Sequence, residues 1–245
     1  MRGTGAREVE AFYDAGYTKP DDVEAQRLGR WRALGARSKA AHARKLCAQA
    51  ELRPATLVEI GCGDGALLAE LTGLAAVVDG FELSPRAAAL ARSRVPAARR
   101  VEAYDGEHVP APDGAYDLAV LSHVLEHVPD PAPLLAEATR VATWVLVEVP
   151  LEANRSARRP GKRAEAARIG HLHAFDRAGV RSLIAGAGLA VRGELADPLP
   201  YEHHAFFGRR GRARAKWALR GAVWRLAPRA AERVFTVHYA ALARR

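Results

Sequence analysis

The chain is poor in cysteine and in long apolar runs. Only Cys47 and Cys62 occur in its 245 residues, and their spacing suits neither a disulfide framework nor a CxxC metal or redox motif. No stretch approaches the roughly 20 apolar residues that cross a bilayer, and the amino terminus has no apolar signal-peptide core. We therefore expect two reduced thiols, no membrane span and a cytoplasmic location.

Aromatic residues are also scarce, at 7% of the chain, and no RNA-binding module is recognisable. Acidic residues are scarce in one part only. Residues 151–245 hold 20 Lys and Arg against 7 Asp and Glu, whereas residues 1–150 hold 17 against 21. This positive charge suits an anionic partner such as phosphate, nucleic acid or an acidic lipid surface. The alternative explanation is a biased genome composition, which would also account for the large excess of Arg over Lys.

The most informative segment is VEIGCGDG at residues 58–65, which is followed by GFELS at residues 80–84. An apolar run that ends in three alternate glycines indicates a buried strand that turns sharply into a helix. Glu82 ends a second apolar run about 20 residues on, where nucleoside-binding sheets place a carboxylate for ribose hydroxyls. The two segments together predict an enzyme with a nucleoside cofactor.

Strand and helix patterns alternate from residue 56 onward. The predicted strands lie near 56–61, 76–82, 98–104, 116–122, 143–149, 189–196 and 234–242, and the predicted helices lie near 65–72, 85–93, 131–141 and 176–187. The short strands are apolar on both faces, which favours a parallel sheet covered on both sides. Ser84, Asp130 and Asp176 are the predicted caps of three of the helices. The pattern predicts a doubly wound α/β fold.

Two appendages flank the predicted sheet. Residues 1–53 carry apolar residues at helical spacing and are predicted to form two or three helices that act as a lid over the main domain, residues 54–245. A basic helical insert at about 209–232 precedes the last strand, and the polar segment 152–168 is predicted to be a mobile loop. The insert is amphipathic, which suits packing against the body, an anionic membrane, RNA or a phosphorylated acceptor.

Two further segments, YDG at residues 104–106 and YDLAVLSHVLEHVPDP at residues 116–131, complete an ordered set. Over residues 56–150 this set resembles the class I S-adenosylmethionine-dependent methyltransferases, of the bacterial small-molecule type. The resemblance implies a mostly parallel seven-stranded sheet in the order 3-2-1-4-5-7-6, with strand 7 antiparallel, and S-adenosylmethionine as the cofactor. The alternative is another nucleotide-binding fold such as a dehydrogenase, whose fingerprint is GxGxxG rather than GxGxG.

The resemblance also implies which residues contact the cofactor. They are Tyr13, Glu59, Gly61, Cys62, Gly63, Asp64, Gly65, Glu82, Leu83, Asp105, Gly106 and His123. By this resemblance the glycine loop faces the methionine part and Glu82 holds the ribose hydroxyls. Asp105 and Gly106 would flank the adenine, and His123 would lie near the sulfonium. Tyr13 belongs to the amino-terminal aromatic residues of the predicted lid.

Three histidines are candidate catalytic residues, because a hydroxyl acceptor profits from a base whereas an amine needs only to arrive unprotonated. His123 directly follows the fourth predicted strand. His171 and His173 lie between the fifth strand and the helix capped by Asp176, where folds of this kind build an acceptor pocket. The alternative for His123 is a residue that contacts the cofactor or packs in the core, and the alternative for His171 and His173 is simple loop packing. Tyr201, His203 and His204 are secondary candidates between the last two strands.

The segment His123-Val124-Leu125-Glu126-His127 also resembles the ExxEH segment of a metal-dependent branch that contains small-RNA and quinone O-methyltransferases. His123 replaces the first carboxylate, and it could share one helical face with Glu126 and His127. His171 or His173 would then complete a shell better suited to Zn²⁺ or Mn²⁺ than to Mg²⁺. Because Glu-His commonly follows this strand in metal-free relatives, we expect no metal ion in the site.

The sequence thus predicts methyl transfer to an oxygen or nitrogen of a small metabolite. The expected acceptor is a natural product, a sugar, a nucleoside or a peptide-derived molecule, and the basic surface suits an anionic one. One alternative is a methyltransferase for RNA or another nucleic acid, which the scarcity of aromatic residues and the lack of an RNA module disfavour. A second alternative is a repurposed cofactor-binding protein without methylation activity. The sequence makes no prediction of oligomeric state.

Overall fold

The computed structural model describes residues 23–206 and 208–245, which form a seven-stranded sheet flanked by helices. The strands are β1 Thr56–Ile60, β2 Val77–Glu82, β3 Arg100–Ala103, β4 Tyr116–Ser122, β5 Ala142–Pro150, β6 Ala190–Asp197 and β7 His238–Arg244. The helices are α1 Val23–Gln49, α2 Ala66–Leu71, α3 Pro85–Arg94, α4 Pro131–Val141, α5 Pro160–Arg168, α6 Arg177–Gly186, α7 Tyr201–Phe206, α8 Arg210–Leu226 and α9 Pro228–Val234.

The sheet order is β3-β2-β1-β4-β5-β7-β6, which confirms the order predicted from the motifs. Strands β1 to β5 are parallel, whereas β7 runs antiparallel to both of its neighbours. The carboxyl ends of β1 to β5 therefore meet at one edge of the sheet. His238, the first residue of β7, pairs with Pro150 and Asp197 and so lies at that same edge. An antiparallel last strand thus brings a residue from near the chain end to the candidate site.

Each face of the sheet buries its own apolar cluster, because successive side chains of a strand point to opposite faces. Leu57 packs with α1, α2 and α3 on one face, and Val58 packs with α4, α6 and α9 on the other. On α1, the buried residues Ala36, Ala40 and Leu46 follow helical spacing. The second half of this helix is therefore part of the hydrophobic core, and this does not depend on the predicted role of the helix as a lid.

The three predicted caps are present and set the turns at the carboxyl edge. The side-chain oxygens of Ser84, Asp130 and Asp176 each accept a hydrogen bond from a backbone N–H two or three residues further along. Such a cap satisfies an N–H group that the first helical turn leaves without a partner, and it typically contributes about 1 kcal/mol.

The sequence prediction differs from the structure in two places. Residues 160–168 of the predicted mobile loop form helix α5, because Pro160 opens the first turn and Ala, Arg and Glu are good helix formers. Strand β7 begins at His238 rather than near 234, since α9 continues to Val234. Residues 23–49 form one long helix, and residues 1–22 of the predicted helical lid lie outside the described residues. The predicted lid aromatic Tyr13 lies outside the described residues.

No helix among the described residues combines the length and the apolarity that a membrane crossing requires.

Candidate active site

The glycine loop connects β1 to α2 in a conformation that only glycine adopts readily. Gly61 and Gly65 have φ values of 78° and 76°, in the left-handed region. A Cβ atom on Gly61 would lie 2.5 Å from Cγ2 of Val124, and one on Gly65 would lie 2.8 Å from the Cα atom of Ala91. The loop is thus fixed by close contacts on both sides, and its contact with Val124 ties it to the end of β4.

Glu82 holds the loop from the neighbouring strand. Its Oε2 accepts a hydrogen bond from the Gly63 N–H at 2.8 Å, and its Oε1 accepts one from the Ser84 N–H at 3.0 Å. Burial raises the pKa of Glu82, while the bonds from Ser84 and Gly63 oppose that shift. Each carboxylate oxygen retains a lone pair. Glu82 can therefore accept further bonds from the hydroxyls of a ribose without giving up the loop.

Asp64 and Cys62 use their side chains within the protein. The two oxygens of Asp64 each lie 2.8 Å from an arginine, Arg32 of α1 and Arg94 of α3, so this carboxylate fastens both helices to the loop. Cys62 is buried, its sulfur lies 3.0 Å from where a Cβ of Gly80 would be, and burial raises its pKa. These contacts favour a supporting role for both residues behind the loop.

Glu59 is a buried carboxylate at the end of β1. Its Oε2 has no hydrogen-bond partner among residues 23–206 and 208–245, and burial raises its pKa while Lys39 lowers it. An unpaired buried carboxylate is costly. A cationic amino group such as that of the methionine part of S-adenosylmethionine would satisfy it. Glu59, Glu82 and the glycine loop therefore fit this cofactor.

The residues predicted to flank the adenine lie together beyond β2 and β3. Asp105 accepts hydrogen bonds from the backbone N–H groups of Glu107 and His108, which fold the chain into a tight turn. Gly106 has a φ of 83°, and a Cβ there would lie 3.1 Å from Cδ1 of Leu83. Leu83 and Gly106 thus form one wall, with Asp105 beside it.

His123, Glu148 and His238 converge at the carboxyl edge, and we call these three residues the edge cluster. One ligand-type atom from each side chain lies within 4.8 Å of the others, and the two imidazole rings are 4.5 Å apart. His123 follows β4 with a φ of 57°, Glu148 belongs to β5, and His238 opens β7. The left-handed conformation of His123 is uncommon outside glycine.

Each member of the edge cluster has a buried atom without a hydrogen-bond partner in the described part of the chain. These atoms are Nε2 of His123, Oε2 of Glu148 and Nδ1 of His238. Burial holds the pKa values of both histidines well below the usual range, and positive neighbours add to the effect. Both imidazoles are therefore neutral near pH 7 and can accept a proton or bind an electrophile.

Two residues of α1 cover the edge cluster. The ring nitrogens of His42 lie 3.2 Å from Oε1 of Glu148 and 3.2 Å from Oδ2 of Asp197. Burial lowers the pKa of His42, but the two bonds overcome this and raise it to about 9. Lys39 interacts electrostatically with Glu148, while burial lowers its own pKa. The sequence carries no local signal for Lys39 or His42, because the residues they meet are distant along the chain.

A second group, the loop cluster, consists of Glu126, His127 and His171, whose ligand-type atoms also lie within 4.8 Å of one another. His171 Nδ1 lies 2.7 Å from Oε2 of Glu152. Burial lowers the pKa of His171, but the bond to Glu152 outweighs this and raises it. His127 Nδ1 donates to the Gly170 carbonyl at 3.1 Å. The predicted metal shell is thus divided between two clusters.

The prediction that His123, Glu126 and His127 share a helical face is wrong. Residues 123–129 form turns rather than a helix, and α4 begins only at Pro131. The left-handed backbone of His123 breaks the helical path at its first residue. His123 still lies near Glu126, with 3.2 Å between Nδ1 and Oε1.

The remaining predicted histidines take part in packing. His173 donates from Nε2 to the carbonyl oxygens of Val128 and Pro129, at 2.9 and 3.2 Å, and stacks on Phe175. His203 is buried and meets the Trp31 ring edge to face. These contacts place His173 in the support of the loop after β4.

A family model described as a methyltransferase domain matches residues 30–194, which is more than half of the chain. The ubiquinone biosynthesis O-methyltransferase of Thiobacillus denitrificans (strain ATCC 25259 / T1) is 31% identical over 104 residues, which cover 40% of this chain and 45% of that protein. The protein of the same description from Sodalis glossinidius is 33% identical over 89 residues, 35% of this chain and 36% of the relative. The chain thus matches less than half the length of both curated relatives.

Solved structures of methyltransferases share the fold. The geranyl diphosphate C-methyltransferase of Streptomyces coelicolor A3(2) superposes with a TM-score of 0.66 at 15% identity and full coverage of both chains. An S-adenosylmethionine-dependent methyltransferase of Thermotoga maritima gives 0.63 at 17% identity, covering 95% of this chain and 98% of that one. The family match, the sheet order and the loop agree: this chain belongs to the methyltransferase-domain family, has the class I methyltransferase fold, and carries a loop that fits S-adenosylmethionine.

Proposed function

We propose that the enzyme transfers the methyl group to an oxygen atom of a small-molecule acceptor bound at the carboxyl edge, between the glycine loop and the edge cluster. When bound, S-adenosylmethionine supplies an already activated methyl group, so the work of the protein is to position both molecules and to exclude water. We place this reaction in the cytoplasm. The names of the two curated relatives support an oxygen acceptor.

A single observation carries the choice of oxygen: a neutral imidazole with a free nitrogen lies at the end of β4. Nε2 of His123 is buried and has no partner within the described residues. The next residue, Val124, abuts Gly61, so His123 adjoins the glycine loop. An amine acceptor would not need such a base, whereas a hydroxyl has to lose its proton as the methyl group arrives. We therefore assign His123 as the group that receives this proton.

The weak basicity of His123 bears on how acidic the hydroxyl of the acceptor has to be. A neutral imidazole in an apolar setting is a weak base, because burial disfavours its charged form. A phenol, with a pKa near 10 as in tyrosine, is within reach of such a base, whereas an aliphatic hydroxyl is far less acidic. We accordingly propose a phenolic or enolic hydroxyl on a small metabolite. A natural-product acceptor would meet this description.

The test is the turnover of a His123→Gln variant with a panel of phenolic acceptors. We expect S-adenosylhomocysteine to bind as tightly as it binds to the unaltered enzyme, and turnover to fall by roughly 100-fold or more. His108→Gln is the matched control, since His108 is an exposed histidine of the loop after β3. Full turnover by His123→Gln would remove the proposed base and point to an amine acceptor or to catalysis by positioning alone.

A nucleic-acid methyltransferase is the second candidate, and the exposed arginines Arg210, Arg212 and Arg214 of α8 favour it. Phosphate contacts release counterions, so binding of this kind weakens steeply with salt. Titration of RNA at two salt concentrations separates the candidates. Tight binding that disappears at high salt, together with methylation of the RNA, would replace the small-molecule proposal.

A further inference from the structure

We propose that the edge cluster of His123, Glu148 and His238 is a binding site for a divalent transition-metal ion of the Zn²⁺ class. This inference deepens the proposed function and rests on methyl transfer at the carboxyl edge. A nitrogen of His123 that binds an ion cannot also receive the proton of the acceptor, so the role of His123 as the base applies to the metal-free enzyme. It departs from the expectation of a metal-free site. It also departs from the predicted ExxEH shell, whose other members, Glu126, His127 and His171, belong to the loop cluster.

The distances within the edge cluster suit a bound cation. One ligand atom from each of the three residues lies within 4.8 Å of the other two. Imidazole nitrogens and carboxylate oxygens bind Zn²⁺ at about 2.0 to 2.2 Å, so small side-chain rotations would bring the three atoms around one ion. They come from three neighbouring strand ends of the sheet, which hold the ligand set in place.

The unpartnered atoms supply an independent reason. Nε2 of His123, Oε2 of Glu148 and Nδ1 of His238 are buried without a hydrogen bond among the described residues, and Glu148 is 0% exposed. Leaving three such atoms unpaired costs free energy at each one. A cation held by these three side chains would supply partners that the described chain does not.

The surroundings resemble the outer shell of a metal site. His42 lies 3.2 Å from the other oxygen of Glu148, and Glu126 lies 3.2 Å from the other nitrogen of His123. The contact of His42 is a hydrogen bond, and an outer-shell bond of this kind orients a ligand. Glu126 Oε1 makes no hydrogen bond to His123, so its contact is a close approach only. Lys39 brings a competing positive charge to Glu148, while burial lowers the pKa of this lysine.

The donor set selects the class of ion. Two imidazoles and one carboxylate match the ligands of Zn²⁺ and related transition metals, whereas Mg²⁺ prefers oxygen donors. Three protein ligands also leave one coordination position open, as in catalytic rather than structural sites. That position would be available to the acceptor or to water.

Co²⁺ absorption provides the test, because Co²⁺ takes the place of Zn²⁺ and is coloured. The untagged, chelator-treated enzyme is titrated with Co²⁺ and then with Zn²⁺. We expect one equivalent of Co²⁺ to give a visible band that Zn²⁺ removes. His238→Gln and Glu148→Gln should weaken Co²⁺ binding by more than about 100-fold. The matched variants His127→Gln and His171→Gln, in the loop cluster, should retain the band.

Calorimetric titration with S-adenosylhomocysteine shows whether each variant keeps its fold and cofactor site. No Co²⁺ band from the unaltered enzyme, with cofactor binding intact, would overturn the metal inference. Loss of the band in His127→Gln with retention in His238→Gln would place the ion in the loop cluster and would also overturn it. The proposed function is judged separately, by the turnover of His123→Gln in the chelator-treated enzyme.

Discussion

The carboxyl edge of the sheet has two halves that differ in how their polar atoms are satisfied. In the half at β1 and β2, Glu82 accepts bonds from Gly63 and Ser84, and Asp64 pairs with two arginines. In the half at β4, β5 and β7, each member of the edge cluster keeps an unpartnered buried atom in the described structure. The first half is built in advance for a cofactor, whereas the second has free atoms for an acceptor or ion.

The largest effect is expected where the two halves touch. Gly61→Ala would place a Cβ 2.5 Å from Val124 Cγ2 in a left-handed backbone. We expect the variant to lose about 2 to 4 kcal/mol of unfolding free energy and to bind S-adenosylhomocysteine more than about 10-fold more weakly. Chemical denaturation and calorimetry measure these losses. Gly73→Ala is the control, since its Cβ would meet nothing within 4 Å. Equal stability of the two variants would contradict the tight contact.

Glu82→Ala should affect the cofactor half alone. Removing this carboxylate takes away the partner of two backbone N–H groups and the predicted ribose contact. We expect binding of S-adenosylhomocysteine to weaken by about 1 to 3 kcal/mol, with Co²⁺ binding at the edge cluster unchanged. Glu165→Ala, at an exposed carboxylate of α5, is the control. Unchanged affinity for the cofactor product would remove the assignment of Glu82.

The His42→Gln variant tests the ion pairs that His42 makes over the acceptor half, because their contribution to stability depends on pH. The pKa of His42 in the folded protein, about 9, exceeds the usual histidine value of 6.5. The charged His42 therefore stabilises the fold fully below about pH 6.5, and this contribution disappears as the pH rises through about 9. We expect the variant to be less stable by about 2 kcal/mol at pH 6 and nearly equal to the unaltered enzyme above pH 9. A difference that does not change with pH would contradict the ion pairs.

The smallest effect is expected from Lys39→Met. Burial is the main cause of the lowered pKa of His123, and the charge of Lys39 adds to it. Removing that charge should raise the pKa of His123, but only in part, since the burial remains. Proton NMR of the histidine rings across a pH series measures the shift. An unchanged or lower pKa in the variant would show that no positive charge of Lys39 acts on His123.

The cofactor half was predictable because its residues are close together along the chain. The glycine loop lies within residues 58–65 and Glu82 ends the next strand, so a single motif contains the parts that touch. The caps Ser84 and Asp130, at which two helices begin, are also local signals in the sequence. The order of the sheet followed from the family resemblance that these motifs carry.

The acceptor half could not be predicted in the same way. His42, Glu148 and His238 come from α1, β5 and β7, and only the folded sheet brings them together. The antiparallel direction of β7 puts His238, its first residue, beside the ends of the parallel strands. His123 was found because it follows β4 directly, but its left-handed backbone, which separates it from a helical face with His127, has no signal in the sequence.

Calorimetric titration of S-adenosylhomocysteine into the unaltered enzyme, Glu82→Ala and His123→Gln tests this division of the edge most directly. We expect binding to the unaltered enzyme, clearly weaker binding to Glu82→Ala, and undiminished binding to His123→Gln. Failure of the unaltered enzyme to bind would contradict the cofactor assignment. Equal losses in the two variants would contradict the separation of a cofactor half from an acceptor half.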